Sequence, residues 1–402
     1  MWPEVPIDVV ARIPKSGRPR SQGVNNVLAA LKQHPNRVSR ISIRDIPNSL
    51  LKKLAAIKTP FPALMKLTLS RADEAPVLFN SFLKGSAPRL QWLSFDNIPF
   101  PALGKLPLST CHLSDLSIYN IPYSGNVSPD VLVTSLSGST GLKTLVLKFQ
   151  YPRSRAARES RVPPPLTPVV LPTLSYMDFK GDSDYLEDML SRMNLPLQVL
   201  ITATFFNQLV FRTPLLRNHI IRKETLREFG SHRGVIAFTS DDVYIVLFQK
   251  HGGTESKVIE FLISCRPPDW QLSSLVQLIR SSIPTLPALE HLELRDTFPQ
   301  QRWQDDIMIE HAQWLELLRP FAFVKGLVLS GNLIPLVAPA LGELTGERVT
   351  EELPALQTMV VQNFRLSGPS PWQKEIGRFV TARQISGRPV AVHYQESSFI
   401  YT

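Results

Sequence analysis

Apolar residues return along this chain in one short motif, Leu-x-x-Leu-x-Leu, in which any large apolar residue can replace leucine. Val38-Ser-Arg-Ile41-Ser-Ile43, Leu64-Met-Lys-Leu67-Thr-Leu69 and Leu90-Gln-Trp-Leu93-Ser-Phe95 are the first three instances. Leu113-Ser-Asp-Leu116-Ser-Ile118, Leu142-Lys-Thr-Leu145-Val-Leu147 and Leu174-Ser-Tyr-Met177-Asp-Phe179 follow. After a less regular stretch the motif returns at Val258–Ile263, Leu289–Leu294, Val324–Leu329 and Met359–Val361, the last preceded by Leu356. Alternation over the last residues of each motif predicts a strand with one buried face. Between motifs lie apolar stripes of helical spacing, such as Val24, Val27, Leu28 and Leu31, or Leu50, Leu51, Leu54 and Ile57. Further helices are expected near Val131–Leu136, Tyr185–Met193, Pro214–Phe229, Trp270–Ile283, His311–Leu318 and Trp372–Arg383. Ile46-Pro47, Ile98-Pro99 and Ile121-Pro122 mark strand exits, because proline removes a ladder donor.

Strand, turn, helix and turn in units of roughly 29 residues is the pattern of leucine-rich repeats, each closing its core only by stacking on the next. The expected fold class is therefore α/β: a leucine-rich-repeat solenoid of about eleven irregular repeats. Its curved, mostly parallel sheet would line the concave side, with helices on the convex side. Residues 1–23 read as an N-terminal capping strand or loop and 24–196 as regular repeats. Residues 197–257 read as an irregular repeat, with Val235–Thr239 and Val243–Phe248 forming a hairpin insertion around Ser240-Asp241-Asp242. Residues 258–402 read as C-terminal repeats and cap. The array is expected to continue in phase through the irregular part, with one enlarged unit.

Composition adjusts this picture in two places. The 35 prolines among 402 residues fit many short elements punctuated often. The net charge of +10 raises nucleic acid as a partner, but the excess is spread along the chain. Its densest cluster, Arg153, Arg155, Arg158 and Arg161, leads into Pro163–Pro165 and reads as a solvated loop. Nucleic acid is therefore not the expected partner. No apolar run approaches the ~20 residues of a membrane span. Two distant cysteines, Cys111 and Cys265, and the acidic start of the chain point to a reducing cytoplasmic or nuclear setting.

Catalytic chemistry is not expected. The chain has no P-loop, dinucleotide glycine pattern, nucleophile elbow or His-Glu-x-x-His. His251-Gly252-Gly253 reads as a turn, and the eight histidines lack ligand spacing. Asp241-Asp242, Asp305-Asp306 and Glu351-Glu352 are adjacent pairs, a poor geometry for an acid/base dyad. No cofactor and no metal is expected.

What the pattern does offer is a row of side chains beside the anchors, on the face opposite the core. Arg40, Lys66, Trp92, Asp115, Thr144 and Tyr176 precede the middle anchors. Ser42, Thr68, Ser94, Ser117, Val146 and Asp178 lie between the last two, and Arg44, Ser70, Asp96, Tyr119, Lys148 and Lys180 follow. The partner-binding candidates are Arg40, Lys66, Trp92, Asp96, Asp115, Tyr119, Tyr176 and Asp178, an aromatic group ringed by carboxylates beside a basic start. Such a centre suits a basic or Arg-bearing peptide of an unknown protein partner.

Short blocks also resemble a known family. They are Trp2-Pro3, Val27–Gln33 before Arg37-Val38, and Pro163–Pro165 before Val169–Leu174. Thr204–Gln208, Asp269–Ser274, Gln313–Leu317 and Ser386–Val390 join them. In combination they look like the fungal F-box-like proteins with degenerate leucine-rich repeats, over nearly the whole chain. The resemblance implies an adaptor of a cullin-type ubiquitin ligase: an F-box docks a Skp-type subunit and the repeats hold the substrate. The F-box itself is expected to be absent, because the first motif already begins at Val38 and only Val5–Ile13 echoes an F-box opening. A Skp-type partner is then expected only if an F-box is supplied upstream. The alternatives are a standalone scaffold and a basic nucleic-acid binder.

Overall fold

The computed structural model describes residues 5–13, 21–57, 59–71, 87–98, 112–125, 127–152, 167–208, 210–223, 232–251, 254–283, 289–296, 310–364 and 370–396. Trp2-Pro3, Cys111, the arginine cluster from Arg153 to Arg161, Pro163–Pro165, Gly252-Gly253 and Asp305-Asp306 lie outside the described residues. Among the described residues fifteen strands form a mostly parallel sheet and two more form a small separate pair, so the chain is mixed α/β. It divides into two compact units, Met1–Ile201 and Thr202–Thr402.

In the first unit the strands are β1 (Ile7–Arg12), β2 (Val38–Ile46), β3 (Lys66–Arg71), β4 (Trp92–Asp96), β5 (Asp115–Ile121), β6 (Thr144–Phe149), β7 (Val169–Val170), β8 (Tyr176–Gly181) and β9 (Met193–Asn194). β1 to β6 and then β8 pair in chain order and in parallel, while β7 pairs with β9. Helices span Ser21–Gln33, Asn48–Ala55, Pro129–Leu136 and Ser183–Ser191. The apolar stripe drawn through Met193 ends earlier than its spacing suggests, because Met193 belongs to β9. Val5–Ile13 holds an edge strand, not a helix.

The anchors explain the register. Leu67, Leu93, Leu116, Leu145 and Met177 pair across successive strands and are almost wholly buried. At each step the residue after the first anchor joins the strands: Gln91 N donates to Met65 O (2.9 Å), Ser114 N to Gln91 O (2.9 Å), Lys143 N to Ser114 O (2.7 Å) and Ser175 N to Lys143 O (2.9 Å).

Proline does more than end strands. Phe61-Pro-Ala-Leu64, Ala87-Pro-Arg-Leu90 and Leu171-Pro-Thr-Leu174 are turns closed by the first anchor's N–H on the carbonyl three residues back, at 3.1, 3.2 and 3.3 Å. Proline at the second position presets the φ such a turn needs. At strand exits Asp45, Asn97 and Asn120 take positive φ (57°, 54° and 49°) just before Ile46, Ile98 and Ile121. Aspartate and asparagine tolerate that conformation best among residues with a side chain.

Gly181 closes β8 beside an aromatic cluster. Tyr185 lies 4.7 Å from Phe149 and 5.9 Å from Phe179, and its hydroxyl donates to Val127 O at 2.9 Å. A Cβ on Gly181 would stand 2.6 Å from the Phe179 ring and 3.1 Å from that of Phe149. Gly181→Ala is expected to lower stability by about 1–3 kcal/mol through overpacking. An unchanged urea midpoint would show that the rings move aside freely.

The second unit contains β10 (Leu200–Phe206, which begins two residues before the division), β11 (His232–Phe238), β12 (Asp242–His251), β13 (Thr254–Ser264), β14 (Leu289–Asp296), β15 (Gly326–Ser330), β16 (Thr358–Phe364) and β17 (Ala391–Glu396). Helices span Pro214–Ile221, Pro268–Ser282, His311–Leu318, Ile334–Gly342, Arg348–Glu351 and Pro371–Ile385. The hairpin around Ser240-Asp241-Asp242 is present, since β11 and β12 pair antiparallel. Its placement differs from simple continuation. β12 also pairs antiparallel with β13, which lies parallel to β10, and β11 lies parallel to β14. The order β10-β13-β12-β11-β14 thus reverses the chain order of three strands and still leaves the flanking strands parallel.

Candidate functional site

The register that aligns the anchors also aligns the residues beside them. Asp8, Arg40, Lys66, Trp92, Asp115, Thr144 and Tyr176 are paired neighbours from β1 through β8. Side chains alternate across a sheet, so this row shares the face turned away from the buried anchors. Asp8, Arg40, Lys66, Trp92 and Asp115 line a groove of about 380 Å³, with Ser39, Met65, Gln91 and Ser114 beside them. Four sequence-derived candidates, Arg40, Lys66, Trp92 and Asp115, therefore meet in one place. Trp92 is 37% exposed there, high for a residue that usually hides its ring.

Trp92 is not ringed by carboxylates alone. The Lys66 ammonium sits 4.5 Å from its ring centre, a cation–π contact worth about 0.5–1 kcal/mol at an exposed site. Both carboxylates of the groove accept from serines: Asp8 from Ser39 at 2.8 Å and Asp115 from Ser114 at 2.5 Å. The groove thus holds two cations and two carboxylates, with the aromatic ring between Lys66 and Asp115.

The other candidates sit further along the strands. Asp96 accepts from Asn120 Nδ2 at 2.8 Å. Lys148 pairs with the buried Asp178 at 2.7 Å and lies 6.0 Å from the Tyr119 ring. Tyr176 ends the first row, half-buried, with Thr144 as its paired neighbour. Asp96 and Tyr119 are paired four residues beyond the Trp92–Asp115 pair, and Asp178 lies two residues beyond Tyr176. Asp96 thus meets a neutral amide and Asp178 the Lys148 charge, whereas Arg40, Lys66, Trp92 and Asp115 line the groove.

Sequence reasoning also passed over a second-unit cluster. Glu293, largely buried on β14, accepts from Arg233, and Arg295 lies 2.8 Å from its other oxygen. Arg233 also reaches Glu255 at 3.2 Å and lies 5.9 Å from the Phe248 ring. Burial opposes the charge on Arg233, but hydrogen bonds and attraction from Glu293 and Glu255 outweigh it and hold the guanidinium above its ordinary range. Every charge in that cluster has a partner of opposite sign, so it reads as a stabilising network. Only pairing across the hairpin brings Glu255 near Arg233, and no local motif announces that.

Among the described residues no group of three or more His, Cys, Asp or Glu is placed to hold a metal ion. No described helix is long and apolar enough to cross a membrane. No protein-family model matches this chain, and no curated protein does.

Proposed function

We propose that this chain is a leucine-rich-repeat solenoid that acts as a non-catalytic protein-binding surface in the cytoplasm or nucleus. Its role would be that of the substrate-binding part of an F-box/leucine-rich-repeat adaptor. The in-register anchors and the recurring backbone bonds between strand starts support the solenoid reading. One observation carries the binding reading: an exposed tryptophan seated in a groove beside unlike charges, on a sheet face. Aromatic and arginine residues in a desolvated pocket are where binding energy concentrates.

A photoreactive side chain at Gln91 tests this. Adducts with protein are expected, reduced about tenfold or more by Trp92→Ala together with Asp115→Ala. Adducts mainly with nucleic acid, or binding that falls steeply with salt and ignores Trp92→Ala, would overturn the reading. The ligase connection rests on the family resemblance. The chain by itself is expected not to retain a Skp-type subunit, and co-purification of the two would show that an F-box lies within it.

A further inference from the structure

The groove has a charge order that selects its occupant. Asp8, Arg40, Lys66, Trp92 and Asp115 succeed one another on five neighbouring strands. The guanidinium of Arg40 has no salt bridge among the described residues, and Lys66 has only the Trp92 ring. Asp115 is held by a neutral hydroxyl and has no salt bridge among the described residues.

We propose that the groove receives an extended peptide running across the strands, with an acidic side chain over Arg40 and Lys66, an apolar one beside Trp92, and a basic one over Asp115. This rests on the protein-binding reading above and specifies its ligand. Neighbouring strands are about 4.8 Å apart, so Arg40 and Asp115, three strands apart, are separated by roughly 14 Å. An extended chain advances about 3.4 Å per residue, so the two charged side chains fall about four residues apart and on the same face. The residue midway between them also faces the groove, at the level of Lys66 and Trp92. Carboxylates on both flanks of the cation pair disfavour a polyanion, which would meet like charge at each end. A wholly basic peptide meets Arg40 and Lys66 and is disfavoured for the same reason.

Panning the intact chain against displayed random twelve-residue peptides tests the spacing. The expected winners carry Asp or Glu and Lys or Arg four positions apart, with an apolar residue midway. For a fluorescent synthetic copy of a winner, Arg40→Glu is expected to weaken binding about tenfold, and exchanging the peptide's acid for lysine to restore it. Arg40 is exposed, so the variant is expected to fold, and circular dichroism verifies that. Winners that need Trp92 but lack the spacing would overturn this inference and leave the binding reading standing. If no winner depends on Trp92, both fall.

Discussion

Replacing Arg383 by alanine is expected to lower the stability of the chain by about 3–5 kcal/mol, the range for truncating a large buried side chain to alanine. Arg383 lies in the helix Pro371–Ile385 and is almost completely buried. Its Nη1 donates to Val349 O at 3.1 Å and its Nη2 to Leu356 O at 2.8 Å. These carbonyls belong to a short helix and to a residue two positions before β16, so one side chain ties three segments together. Burial, and then repulsion from Arg388, push the guanidinium below its ordinary pKa, which shows that its charge is held at a cost. Alanine leaves two carbonyls without donors and a cavity the size of an arginine. Arg383→Met separates these effects. It fills most of the space and removes the buried charge, so its loss is expected to be smaller, about 1–2 kcal/mol. Urea unfolding reads both. A methionine variant as unstable as the alanine one would mean that the hydrogen bonds, not the volume, dominate. An alanine variant within about 0.5 kcal/mol of the parent would remove Arg383 from the core altogether.

Much of the secondary structure is legible in the sequence because burial imposes it locally. Ile41 and Ile43, or Leu67 and Leu69, alternate with Ser42 and Thr68 because a strand with one buried face must alternate. Two further signals were equally local: proline before the first anchor in Phe61–Leu64, and Asp or Asn before the exit isoleucine at positions 45, 97 and 120. The reversed order of β13, β12 and β11 was not legible. A turn such as Ser240-Asp241-Asp242 states that two strands pair, but not which edge of the pair docks on β10. That choice is made by side-chain packing between distant segments, which no short window contains.

The groove shows the same division. Arg40, Lys66, Trp92 and Asp115 could be placed on one row because equal offsets from equal anchors give equal register. Asp8 escaped because β1 lacks the full motif and its place in the row depends on pairing with β2. How the carboxylates are satisfied was beyond reach as well. Ser39 on Asp8, Asn120 on Asp96 and Lys148 on Asp178 join residues on neighbouring strands, and their rotamers decide the contact.

A second large effect is expected from Lys223, and it depends on pH. Lys223 follows the helix Pro214–Ile221 and is 6% exposed. Burial lowers its ammonium pKa from 10.5 to about 8. Between those two values the unfolded chain binds more proton than the folded one, so stability rises with pH across that window. Below about pH 8 the cost of the buried charge is fully present, and above about pH 10.5 it is gone. At about 1.4 kcal/mol per pKa unit the depression corresponds to about 3 kcal/mol. Lys223→Met keeps an unbranched, apolar side chain and removes the proton equilibrium. The stability of the variant relative to the parent is therefore expected to fall by about 2–3 kcal/mol between pH 7 and pH 10. Paired urea titrations at the two pH values measure that difference directly, since other titrating groups act equally on both proteins. A gain that is the same at both pH values would mean that better packing, not relief of a buried charge, stabilises the variant. A loss at pH 7 would mean that the ammonium makes contacts worth more than its desolvation.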